Sequence, residues 1–260
     1  MKKEIEKIFT LSTKPYMKIL PGNLAFSFMI TLVPIISLIM FICSKLNLEP
    51  SILDNIAKLI PVSILETLAM ITNTATVNGA ILIIGLWAAS GGMSALIIAT
   101  NVIYNFDDTN YLKRRIKALI LTFLVIMMII INLGVLVFGD ALFNFILRIF
   151  NIHSNIVWIF SLLKWPVALI LILFIVKIIY TATPNENIET KTVNKGAIFT
   201  TIFWMISSAI YSIYINNTNI YDIKYGSFAN IFILLLWLYI MSYILVLGIS
   251  INVNEHNKKS

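Results

Sequence analysis

Between residues 21 and 252 the sequence alternates long, nearly uncharged runs with short polar connections. The runs lie at about 21–45, 78–104, 116–139, 156–181, 196–216 and 227–252. Each is near or above the roughly 20 residues that an α-helix needs to cross about 30 Å of hydrocarbon. With 59% hydrophobic and 12% charged residues in 260, the chain carries more apolar surface than a soluble core of this size could hide. The sequence therefore predicts an all-α polytopic membrane protein, a bundle of six transmembrane helices over residues 21–253. A basic segment (1–20) precedes the bundle and a short tail (254–260) follows it.

Residues 50–77 read differently. Ile52, Ile56, Leu59 and Ile60 recur at helical spacing against Asp54, Asn55 and Lys58, and Pro61 interrupts the pattern. Two short amphipathic helices on the outer surface are expected here. The first twenty residues mix Ile5, Ile8, Phe9, Ile19 and Leu20 with five lysines. They read either as an interfacial amphipathic segment or as a plain cytoplasmic tail. They lack the apolar core of a cleaved signal, which makes the first span an uncleaved anchor.

Orientation follows from the basic residues. With the N-terminus inside, the inner segments hold fourteen of the 19 lysines and arginines. The positive-inside rule thus predicts both termini in the cytoplasm and an even number of spans. Tyr211, Tyr214, Tyr221, Tyr225, Trp158 and Trp165 fall near the expected outer boundary, as an aromatic belt would.

The residues also exclude chemistries. Cys43 is the single cysteine, so no intrachain disulfide and no cysteine metal cluster can form. His153 and His256 are expected on opposite sides of the membrane, and no His/Asp/Glu group has metal-ligand spacing. No metal, cofactor or catalytic residue is therefore expected, and neither is a nucleic-acid partner. A phosphate-cradling Gly-x-x-x-x-Gly-Lys-Ser/Thr loop is absent too.

What remains are polar and irregular positions inside apolar runs. Asn23, Ser27, Pro34, Ser90, Gly91, Gly92, Asn101 and Asn230 are candidates for a substrate path through the first, second and sixth spans. Pro34 and Gly91-Gly92 could break their helices beside that path. Small and polar residues serve equally as helix-packing contacts. Lys164 and Asp140 are the candidate buried charges, with snorkelling the alternative for Lys164. Lys113, Arg114, Arg115 and Lys117 form the densest basic cluster. Topology accounts for it, and contact with anionic lipid headgroups is its functional reading.

Motifs in three of the runs stand out. The last run reads Tyr225-Gly226-Ser227-Phe228-Ala229, then Trp237-Leu238-Tyr239, then Gly248-Ile249-Ser250-Ile251-Asn252. The second carries Leu86-Trp87-Ala88-Ala89-Ser90 and Asn101-Val102-Ile103-Tyr104. The first carries Phe26-Ser27-Phe28 and Leu32-Val33-Pro34. In order and spacing these resemble the YihY/BrkB family of bacterial inner-membrane proteins, from about residue 15 to 253. The resemblance implies six spans in a bacterial plasma membrane. It implies no settled activity, since members have carried the names ribonuclease BN and virulence factor, and suggestions of lipid or ion transport. Family members commonly have Gly-Ala-Glu-x-Asn where this chain has Gly248-Ile249-Ser250-Ile251-Asn252. No role of that glutamate carries over to Ser250. Residues and resemblance together lead to transport or translocation of an envelope lipid or other amphipathic substrate. The alternatives are a secondary ion or solute transporter and a non-transporting envelope scaffold. Membrane lipids are the expected partners, with a homo-oligomer or another envelope protein left open.

Overall fold

A computed structural model describes residues 2–45, 79–149, 157–217 and 227–257. The elements are α1 (Lys2–Ser12), a 3-10 turn (Pro15–Lys18), α2 (Leu20–Lys45), α3 (Gly79–Tyr104), α4 (Tyr111–Ile149), α5 (Val157–Ala182), α6 (Asn194–Asn217) and α7 (Ser227–His256). No strand occurs among the described residues. The amphipathic segment expected at 50–77 lies outside them.

Each of α2 to α7 packs on its neighbours in sequence, and α7 closes back onto α2. The six long helices thus form a ring, with α7 also reaching α3. Both chain ends come to one end of it. Leu11 and Met17 share a core with Leu247 and Ile251. The Tyr104 and His256 rings lie 6.0 Å apart, and Lys195 pairs with Glu255 at 2.9 Å. The N-terminal segment is therefore docked on the bundle rather than a free tail.

By the apolar length of their described residues, four helices can cross a membrane: Ile83–Tyr104, Tyr111–Asn132, Asn194–Tyr214 and Ile231–His256. The corresponding stretches of α2 and α5, Leu20–Leu32 and Pro166–Ala182, are shorter. The outward faces are apolar. Ile30, Ile120, Phe123, Ile170, Ile210 and Phe232 are all more than half exposed. Thr100, Asn101, Thr200, Ser242 and Asn252 are buried instead. An apolar exterior around a partly polar interior suits lipid as the solvent.

Three sequence expectations about helix continuity are revised. α2 runs through Pro34, and α3 runs through Gly91-Gly92. Neither helix is broken. Proline and glycine are tolerated within membrane helices where neighbours re-satisfy the backbone. The third run was expected to stop at 139, but α4 continues to Ile149. Residues 140–149 contain no proline or glycine to end it. Asp140 consequently lies inside a helix.

The end of α3 shows how sequence sets a boundary. Asn105 has φ of 59°, Phe106 N–H donates to the Asn101 carbonyl at 2.9 Å, and Asn105 N–H donates to the Val102 carbonyl at 3.4 Å. This is a Schellman cap, with asparagine filling the left-handed position usually given to glycine.

A close interhelical approach joins α6 and α7. Gly196 N–H donates to Asn252 Oδ1 at 2.8 Å. A Cβ on Gly196 would overlap the Gly248 carbonyl, and one on Gly248 would overlap Thr200 Oγ1 and the Tyr180 hydroxyl. Tyr180 donates to the Leu245 carbonyl at 2.9 Å and shares a 2.5 Å hydrogen bond with Thr200. This seam ties α5, α6 and α7 together at fully buried positions.

Candidate functional site

Inside the ring lies a cavity of about 170 Å³. Every long helix contributes to its wall: Phe28 and Thr31 from α2, Ala89, Gly92 and Leu96 from α3, Thr122 and Ile126 from α4, Ile179 from α5, Trp204 from α6 and Leu245 from α7. The lining is apolar apart from two threonines and one indole. Thr31 Oγ1 lies 3.0 Å from both the Ser27 and Phe28 carbonyls, and Trp204 Nε1 donates to the Met241 carbonyl at 2.9 Å. Thr122 Oγ1 is buried with no hydrogen-bond partner. The cavity is partly open, and its volume is of the order of the roughly 150 Å³ apolar cavities that take benzene-sized guests. Such a space suits a stretch of hydrocarbon, not a hydrated ion.

The sequence-derived path residues have separate surroundings. Gly92 lines the cavity, and a Cβ there would sit 2.8 Å from Phe28 Cδ1 and 2.9 Å from Thr31 Oγ1. Its neighbour Gly91 faces Thr31 Cγ2, and Pro34 is half-buried. Ser90 is buried and donates to the Trp87 carbonyl at 2.7 Å. Asn101 Oδ1 accepts from Asn185 N–H at 2.9 Å, while its Nδ2 is unpartnered. Asn23 is exposed and Ser27 half-buried. Ser250 is buried and bonded to the Val246 carbonyl at 2.9 Å. The side chains of Asn230, Lys164 and Asp140 lie outside the described residues. Ser90 thus serves a local backbone contact and Asn101 the 183–193 connection, while the cavity is built mainly from apolar residues. Thr31 is among the uncharged polar residues of the first run, and Thr122 escaped the sequence reading. Gly92 of the candidate path, Phe28 of the Phe26-Ser27-Phe28 motif and Ala89 of the Leu86–Ser90 motif are the sequence signals that point here.

The basic cluster at the start of α4 is divided. Arg114 pairs with Asp108. Arg115 donates to the Trp87 carbonyl at 2.7 Å and lies 4.6 Å from that ring centroid. Lys117 Nζ donates to the Thr183 and Pro184 carbonyls at 3.0 and 2.6 Å, just past the α5 C-terminus. Lys113 is exposed. Lys113 and Lys117 flank an open groove of about 410 Å³ along Ile116, Ile120, Leu121 and Ala182. Among the described residues no group of three or more His, Cys, Asp or Glu is placed to hold a metal.

Comparison with known proteins fixes the family. Residues 17–260 match the family described as Virulence factor BrkB. The chain belongs to the BrkB family. Over 246 residues it is 26% identical to the ribonuclease-like protein YfkH of Bacillus subtilis, covering 92% of this chain and 90% of that protein. It is 29% identical over 168 residues to a UPF0761 membrane protein of Alteromonas mediterranea, covering 62% of this chain and 56% of the relative. A UPF0761 membrane protein of Chromobacterium violaceum is 25% identical over 121 residues, 46% of this chain and 29% of that protein. No solved structure matches. This BrkB-family chain is a membrane protein with transmembrane helices.

Proposed function

We propose that this chain is a six-span protein of the bacterial plasma membrane, with both termini cytoplasmic, that translocates an amphipathic envelope lipid. One observation carries the reading: the central cavity is walled by all six long helices, and among the described residues no charged one lines it. An ion or hydrated solute leaving water would need polar partners there. A hydrocarbon chain needs none. A scaffold without transport would be expected to fill that space, since interiors close-pack unless function holds them open. The reading also sets the chain outside nuclease chemistry, which needs metal ligands or an acid–base pair. Counting α2 and α5 as the other two spans is supported by their length of 26 residues each and by their packing in the ring.

Photo-crosslinking tests it. The full-length protein, reconstituted with a phospholipid bearing a diazirine on an acyl chain, should be labelled at Met93 and Ile126, which line the cavity. Ala89→Phe, which fills the cavity, should abolish that labelling while leaving labels on outward-facing Ile120 and Phe123. Labels confined to outward-facing residues in the unaltered protein would overturn the proposal.

A further inference from the structure

We propose that the groove on the α4–α5 seam binds an anionic glycerophospholipid, its phosphate held between Lys113 and Lys117. The proposal builds on the lipid reading above by naming the substrate class and where it docks. Along α4 the groove's residues run Lys113, Ile116, Lys117, Ile120 and Leu121. Both charges fall within the first two turns, beside Ile116, and only hydrocarbon follows beyond Lys117. A phospholipid entering the membrane presents its parts in that order. Ile116 and Ile120 are 50% and 57% exposed, offering apolar surface for the first acyl carbons. Ala182 is small, and its position opposite α4 keeps the seam open.

Division of the basic cluster selects the two lysines. Arg114 is committed to Asp108, and Arg115 to Trp87. Lys117 is held in place by two carbonyls beyond the end of α5, which fixes the position of its ammonium. Its third N–H and its charge remain for a phosphate oxygen. Lys113, exposed one turn earlier, supplies the second charge. The groove also adjoins the cavity. Ile179 of α5 lines the cavity and Ala182, one turn on, lines the groove. On α4, Leu121 borders the groove and Thr122 the cavity. A lipid docked here is one helical turn from the interior.

Native mass spectrometry of the full-length protein, titrated with phosphatidylglycerol or phosphatidylcholine, tests this. The protein should retain phosphatidylglycerol preferentially. Lys113→Gln should weaken that retention about fivefold, the loss expected for one near-surface charge. Ala182→Trp should weaken it without changing any charge, and Arg114→Gln should leave it unchanged. Millimolar inorganic phosphate should not displace the lipid, which separates a lipid site from a free-anion site. Equal retention of both lipids, displacement by phosphate, or insensitivity to both Lys113→Gln and Ala182→Trp would overturn the proposal. Cavity crosslinking with a groove that shows no preference would sink this inference and leave the transport reading standing. Selective groove binding without cavity crosslinking would do the reverse.

Discussion

At the scale of single residues, glycine carries two opposite meanings in this chain. Gly248 is crossed by Thr200 Oγ1 and the Tyr180 hydroxyl, and both belong to a buried hydrogen-bonded seam that cannot give way freely. Gly22 has nothing within 4 Å of where a Cβ would go. Gly248→Ala should therefore destabilise the protein by about 1–3 kcal/mol through overpacking. Gly22→Ala, inside α2, should stabilise it by about 0.5–1 kcal/mol. Unfolding of both purified variants in detergent checks the contrast, and equal effects would contradict the α6–α7 geometry. The sequence motif at 248–252 marked this region, but its partner Gly196 carried no local signal. Its role appears only when α6 is laid on α7. Polar residues inside the apolar runs show a related effect. A buried serine or threonine in a helix finds its own carbonyls three or four residues back, as Ser90, Thr31 and Ser250 do. Polarity in an apolar run therefore does not by itself separate a cavity wall from a packed core: Thr31 and Ser250 bond alike, and only Thr31 lines the cavity.

At the scale of elements, the apolar runs were the strongest signal. The run at 78–104 became Gly79–Tyr104, and that at 196–216 became Asn194–Asn217. Boundaries were legible where a capping residue enforced them, as Asn105 does, and illegible at the far end of α4, where nothing stops the helix. Asn105→Val should cost about 1–2 kcal/mol, because a β-branched residue resists positive φ, whereas Asn105→Gly should be tolerated. Thermal unfolding of the two variants gives the comparison. The cavity was not legible at this scale, because Phe28, Leu96, Ile126, Ile179 and Leu245 look like any other apolar core residues until six helices are assembled around them.

At the scale of the whole molecule, the closed ring brings the N-terminal segment, the 105–110 connection, the 183–193 connection and the C-terminal end of α7 together. Lys14, Lys18, Lys113, Lys191 and Lys195 fall in this same region of the chain path, which is the end that the proposed orientation puts in the cytoplasm. Reporter fusions after Thr13, Asn110, Asn187 and Asn257 should report cytoplasm, and fusions near Asn73, Asn151 and Asn219 the outer side. Reversal at any two sites would break the six-span arrangement. Translocation itself is tested most directly by lipid scrambling. Full-length protein is reconstituted into liposomes carrying a headgroup-labelled fluorescent phospholipid, and a membrane-impermeant reductant is added. Protein-free vesicles should lose about half their fluorescence, the outer leaflet alone. The account predicts that vesicles containing the protein lose nearly all of it, and that Ala89→Phe restores the inner-leaflet half. Protein-containing vesicles that bleach no further than protein-free ones would contradict it.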